Sequence, residues 1–142
     1  MILLDTNVLS EIMRPEPAAA VLAWMDAQGS DALWVSAVTQ AEIGLGIALL
    51  PEGRRRQALA DAAARMFEED FSGRCLAFDQ EAAVRYTHLV LERRLAGRPI
   101  SFQDAMIAAI ALANDMVLAT RNIKDFSGIS GLEVLNPWLA AP

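Results

Sequence analysis

The sequence predicts an α/β protein: a three-layer α/β/α sandwich around a mostly parallel sheet of four to five strands. Three observations carry this reading. Short continuous apolar runs alternate with longer helix-patterned stretches, which implies a parallel sheet covered on both faces. At 142 residues the chain is read as one domain, 1–142, long enough to bury a core without staples. Apolar residues make up 54% and aromatics only 6%, so Ala and Leu must fill the interior, as suits helices packed closely on a sheet.

Each element is read from local pattern. Ile2 to Leu4 is a short apolar run, read as a buried strand. A helix from about Asn7 must stop before Pro15 and Pro17. Ala18 to Gln28 reads as a second helix closed by Gly29, and Leu33 to Val35 as a second strand. A third helix is expected from Thr39 to Leu50, ended by Pro51, and a fourth from Glu52 to about Phe71. Leu76 to Phe78 is the third strand, followed by a helix from about Gln80 to Ala96 and a loop at Gly97-Arg98-Pro99. Ser101 or Phe102 to Asn114 is an Ala/Ile helix, apolar almost all round and therefore expected to be buried. Met116 to Ala119 is a fourth strand, and Glu133 to Leu135 a weaker fifth.

Composition excludes several classes of function. One cysteine, Cys75, rules out an internal disulfide framework and a cysteine-based zinc cluster; beside Leu76 it reads as core filler. One histidine, His88, rules out a multi-histidine metal site. The net charge is −6, which does not suit bulk nucleic-acid binding, although eleven of the twelve basic residues are Arg, the side chain that forks phosphate. No targeting signal is visible and the longest greasy stretch, Ala105 to Ala113, is too short to span a bilayer, so a cytoplasmic protein with no membrane partner is expected.

In a parallel α/β sheet the site lies at the carboxyl ends of the strands, where strand order reverses. The polar residues placed there by this chain are mostly acids. Asp5 ends the first strand, Glu42 is expected in the first turn of the helix after the second, and Asp104 in the first turn of the Ala/Ile helix. Thr120, Asn122 and Asp125 come after the fourth strand. Clustered carboxylates repel and are expensive to desolvate, so either their pKa values rise or a cation joins them. A hard divalent ion such as Mg²⁺, or Mn²⁺, takes such oxygen ligands, and phosphodiester hydrolysis is the chemistry it best supports.

Each acid also has a bland reading. Thr39-Gln40-Ala41-Glu42 fits a capping box, Ser101-Phe102-Gln103-Asp104 is a near version, and Asp5 and Asn122 could cap helices. Gly44-Leu45-Gly46 lies within a helix and reads as close packing rather than a phosphate loop. Trp24, Trp34 and Trp138 read as packing, with base stacking the lesser alternative. Among the arginines, Arg98 is the leading candidate for phosphate contact, because its loop leads into the helix that carries Asp104.

Taken in order, several stretches resemble one family. Met1-Ile2-Leu3-Leu4-Asp5-Thr6-Asn7-Val8-Leu9-Ser10-Glu11 resembles the opening of PIN-domain toxins of the VapC family, in particular the FitB-like branch. Ser36 to Gly46, Asp104 to Ala109, Ala119 to Phe126 and the tail Leu135-Asn136-Pro137-Trp138 resemble its further motifs. The resemblance implies a metal-dependent endoribonuclease, the toxin half of a type II toxin–antitoxin pair. It implies a homodimer and a small cognate antitoxin that covers the acidic pocket. Asp5, Glu42 and Asp104 carry over as metal-site acids. At the fourth position Asn122 stands where some relatives have Asp, and Asp125 is the acid that could replace it. Thr6, Asn7 and Thr120 carry over as groups that orient the site or the substrate. Three other readings remain as rivals. A receiver-type phosphoacceptor module would use Asp5, Thr120 and Lys124, but it needs paired acids where Asp5 is followed by Thr6, and a phosphatase of the haloacid-dehalogenase type would want Asp where Asn7 stands. A non-catalytic PIN-like interaction domain is the reading that Asn122 keeps open.

Overall fold

The computed structural model describes residues 1–139, so the last three residues of the expected 1–142 domain lie outside it. Five strands form one sheet: β1 (Ile2–Leu4), β2 (Leu33–Ser36), β3 (Cys75–Leu76), β4 (Val117–Ala119) and β5 (Val134–Leu135). Their order is β3-β2-β1-β4-β5 and every pairing is parallel. The chain builds outward from β1 in one direction, then returns to its other side at β4. Strand order therefore reverses between β1 and β4, which stand in register with Leu3 opposite Leu118 and Leu4 opposite Ala119. That is the position at which open parallel sheets leave a crevice.

Among the described residues seven α-helices cover the sheet: α1 (Thr6–Ile12), α2 (Ala19–Asp26), α3 (Ala37–Ala48), α4 (Arg54–Arg65, prolonged by a wider π turn over Met66–Asp70), α5 (Gln80–Leu95), α6 (Phe102–Ala113) and α7 (Ile123–Phe126). The pleat sends neighbouring side chains to opposite faces. Leu3 and Leu118 join a core cluster with Leu89 of α5 and the buried run Ala105, Ile107 to Ala111 of α6, whereas Leu4 and Ala119 join Val8, Leu9, Val21, Ile43 and Ala63 from α1 to α4. Two apolar layers result, one per face, as expected from the alternation of strands and helices.

The elements differ from expectation in instructive places. The third helix begins at Ala37, not Thr39, because the Ser36 hydroxyl accepts from the Thr39 N–H at 3.1 Å and is the cap. Glu42 therefore stands in the second turn and the capping-box reading fails. Cys75 is exposed, not core filler; β3 is a two-residue edge strand, and the thiol points to Gln40. Phe78 falls outside the strand and packs edge-on against Tyr86. Gly44 and Gly46 are exposed, with open space where a Cβ would stand, so close packing does not account for them.

Buried Arg93, at 5% exposure, ties the loops beneath the crevice. Its guanidinium donates to the carbonyls of Arg98, Asp125 and Ser127 at 2.7, 2.8 and 3.2 Å. A buried charge is tolerated when its donors are met in this way. No helix among the described residues is long and apolar enough to cross a membrane.

The packing sets an expectation for stability. Ile107 is fully buried, so Ile107→Ala should cost about 2–5 kcal/mol in urea unfolding. Val84, 58% exposed on α5, should change stability by no more than about 0.5 kcal/mol when replaced by Ala. Equal losses at the two positions would contradict the assignment of the inner face of the α5–α6 layer.

Candidate active site

The carboxyl ends of β1 and β4 are knotted together by one carboxylate. Asp5 comes directly after β1, and its N–H donates to the Ala119 carbonyl at 2.9 Å, extending the ladder one step. Its side chain is only 4% exposed. Oδ1 takes the Thr6 N–H at 2.8 Å, the helix-capping role foreseen for it. Oδ2 takes the Thr120 hydroxyl at 2.7 Å and the Asn7 amide at 3.2 Å. Asn7 reaches further: its Nδ2 lies 3.1 Å from Thr120 Oγ1, and its Oδ1 accepts the Arg121 N–H at 3.2 Å. One asparagine thus joins the first strand end to the fourth, and Thr6, Asn7 and Thr120 all contact the Asp5 carboxylate.

Glu42 is brought in from α3. The Thr6 hydroxyl donates to Glu42 Oε1 at 2.8 Å and lies 3.0 Å from the buried Thr39 hydroxyl. The residue expected to cap α3 is instead a link between α3 and α1. Asp104 comes from the other face of the sheet. Ser101 caps α6 by accepting the Asp104 N–H at 3.2 Å, which holds Asp104 in the first turn as expected. Asp5, Glu42 and Asp104, together with Asn122, line one open cavity of about 500 Å³, within the usual range of roughly 300–1,000 Å³ for ligand sites.

Electrostatics records the crowding. Burial pushes the Asp5 carboxyl up to about 6, against the pull of hydrogen bonds from Thr120 and Thr6, and the charges of Asp104 and Glu42 push it the same way. Burial also raises Asp104, with Asp125 and Glu42 adding to the rise and the Ser101 contact and the Arg93 charge opposing it. Neither Asp5, Glu42 nor Asp104 has an ion-pair partner among the described residues. Among those residues no three His, Cys, Asp or Glu side chains form a ready-made metal cage. The donors are all oxygen and their charges are uncompensated. That set suits a hydrated hard cation, which takes one or two carboxylates and keeps its waters, rather than a closed tetrahedral site.

The remaining candidates separate. Asn122 lines the cavity, whereas Asp125 is exposed and is felt mainly through Asp104. Arg98 does not line it. The Arg98 guanidinium donates to the Ser127 hydroxyl at 2.7 Å and lies against Gly128, where a Cβ would come within 3.3 Å of it; φ is +77° there, a conformation suited to glycine.

Sequence reading missed Ser10, Glu11, Arg14, Arg121 and Trp138, all of which line the cavity. Helical spacing was the available signal for the first two, which stand three and four residues on from Asn7, whereas Arg14 comes after the end of α1. Glu11 is 6% exposed and accepts the Ala18 N–H at 2.9 Å, and Arg14 Nη1 lies 3.2 and 3.3 Å from its two oxygens. Those contacts, the Ala18 N–H first, hold its carboxyl below the usual value. A receiver-type module would leave Glu42 and Asp104 outside the site; here both face the same cavity as Asp5.

Comparison with known proteins bears on the family and the fold. The model of the PIN domain matches residues 2–132. The plasmid stability protein StbB of Pseudomonas syringae pv. tomato is 46% identical over 99% of this chain and 100% of its own length. VapC ribonuclease Y4jK of Sinorhizobium fredii is 41% identical over 97% and 98%, and toxin FitB of Neisseria gonorrhoeae 38% over 97% and 99%. The crystal structure of FitAcB from Neisseria gonorrhoeae superposes with a TM-score of 0.91 at 37% identity, covering 99% of this chain and 100% of that one.

The raised Asp5 carboxyl has a measurable consequence. Its ordinary value is 3.8 and its folded value about 6, so between these the folded protein holds more protons than the unfolded chain. Its contribution to stability therefore falls as pH rises through that window and stays reduced above it. Urea unfolding of the parent and of Asp5→Asn at about pH 4 and about pH 7 should show the parent losing on the order of 1–3 kcal/mol relative to the variant. Parallel pH profiles would contradict the burial argument.

Proposed function

The chain belongs to the PIN-domain family, and we propose that it is a divalent-metal-dependent endoribonuclease, the toxin of a toxin–antitoxin pair. The observation that carries this reading is the meeting of Asp5, Glu42 and Asp104 in one cavity, from three elements far apart in sequence, at the point where the sheet reverses. The relatives named as a VapC ribonuclease and as a toxin support RNA as substrate and the toxin role. The homodimer, the cytoplasmic location and a cognate antitoxin that covers the pocket belong to the same proposal.

Asp5, Asp104 and Glu42 are the residues that would hold the cation, Mg²⁺ in preference with Mn²⁺ accepted by the same oxygens, and Asn122 adds a neutral amide oxygen. When bound, the cation supplies activation of water and neutralises charge on the phosphodiester. The chain's own groups prepare this. The Thr6 N–H, the Thr120 hydroxyl and the Asn7 amide fix both oxygens of Asp5, and the Thr6 hydroxyl fixes one oxygen of Glu42. Protons compete for the same oxygens, so a carboxyl at about 6 makes binding weaken as pH falls below neutrality. Asp125 bears on the site through the charge it adds at Asp104.

Cleavage of a fluorogenic RNA in Mg²⁺ tests this directly. Asp5→Asn, Glu42→Gln and Asp104→Asn should each lose more than about a hundredfold in kcat/KM, beyond the roughly 10–100-fold expected when an orienting group is removed by Thr120→Val or Asn7→Ala. Asp5→Asn and Asp104→Asn proteins that cut as fast as the parent would end the proposal.

A further inference from the structure

We propose that Arg121, placed over the Trp138 ring, is the residue that grips the phosphate backbone of the strand entering the acidic cavity, with Trp138 as its positioning residue. The inference rests on the ribonuclease reading and extends it to how an acidic protein holds a polyanion. A phosphodiester approaching Asp5, Glu42 and Asp104 meets like charge, on a chain whose net charge is −6. A local cation must offset this for the strand to stay.

Two arginines line the cavity, and they are not equivalent. Arg14 is partly engaged: its Nη1 lies within 3.3 Å of both carboxylate oxygens of buried Glu11, while the rest of its side chain is exposed. Arg121 has its guanidinium carbon 5.0 Å from the Trp138 ring centroid. Among the described residues its side chain makes no hydrogen bond and no ion pair. Stacking uses the face of the guanidinium, while its five N–H donors lie in the plane and point outward from the edges. Among the described residues such a group keeps its N–H donors unbonded, with Glu11 the nearby carboxylate that feels its charge, and those donors suit bidentate phosphate contact.

The mounting is tied to the catalytic carboxylate. The Arg121 N–H donates to Asn7 Oδ1, and the same Asn7 amide holds Asp5 Oδ2. On the other side the Thr120 N–H donates to the Leu135 carbonyl at 2.9 Å, which joins β4 to β5. The turn after β5 is closed by Asn136 Oδ1, which accepts the Trp138 N–H at 2.9 Å, and by buried Pro137. Trp138 is half-buried against the core layer of α1 to α4, which steadies the indole beneath the arginine. Arg98, the arginine favoured from sequence, is spent on Ser127 and the Lys124 carbonyl.

The test measures binding of a short fluorescein-labelled single-stranded RNA in metal-free EDTA buffer by anisotropy across a salt series, and cleavage of the same RNA in Mg²⁺. Arg121→Ala should weaken binding about tenfold and reduce the slope of log affinity against log salt by about 0.7, the share of one phosphate on a single strand. In cleavage it should raise KM about tenfold and leave kcat within about twofold. Arg121→Lys should not restore binding, since an ammonium has neither the plane nor the fork. Trp138→Phe, which keeps an aromatic face, should stay within about threefold of the parent, while Trp138→Leu should fall to the level of Arg121→Ala, and the double variant no further. Arg121→Ala with the parent's affinity and salt slope overturns the inference, and Trp138→Leu with parental binding overturns the positioning role. A parent protein that neither binds nor cuts the RNA overturns the ribonuclease reading itself, a distinct outcome.

Discussion

A carboxylate kept out of water at the reversal point of a parallel sheet is the constraint around which this protein is organised. Asp5 is 4% exposed, yet each of its oxygens is met by a hydrogen-bond donor, from Thr6 on one side and from Thr120 and Asn7 on the other. Those bonds offset part of the cost of burial and also join β1 to β4 beyond their last ladder step.

The same burial makes the site electrostatically uneasy. Asp104 and Glu42 stand near enough for their charges to raise the Asp5 carboxyl further, and no ion pair among the described residues relieves them. By contrast Glu11, on the same cavity wall, is met by Arg14 and the Ala18 amide and is held low. Two carboxylates at opposite ends of α1 thus take opposite roles, one satisfied within the chain and the other left to be satisfied from outside. This is the pattern of perturbed groups that marks functional positions. Within the chain the balance of charge is left unfinished.

The fold was legible because its signals are additive along the chain: apolar runs at Ile2 to Leu4 and Met116 to Ala119, prolines after α1 and α3, and an Ala/Ile helix with no polar face. Asp5, Glu42 and Asp104 were legible as acids after strands, but not their partners. Whether Thr39 caps a helix or touches Thr6 depends on where the helix starts, and the neighbouring Ser36 wins that competition with its hydroxyl. Cys75 was misplaced because burial habits describe central strands, whereas β3 is a short edge. Arg98 was misplaced because sequence proximity to Asp104 says nothing about Gly128 and Ser127, nearly thirty residues on, which claim its guanidinium. Arg121 and Trp138 are seventeen residues apart and meet only because β5 pairs beside β4.

Two separate apolar layers flank the sheet, and the acids are drawn from both: Asp5 and Glu42 lie with the layer formed by the first half of the chain, Asp104 with the layer formed by the second. A ribosome making this polypeptide releases the first pair early and the third acid late, and Thr120, which clamps Asp5, later still. The growing chain therefore holds two of the three acids well before the third, and the pocket can close only after α6 and β4 have both emerged.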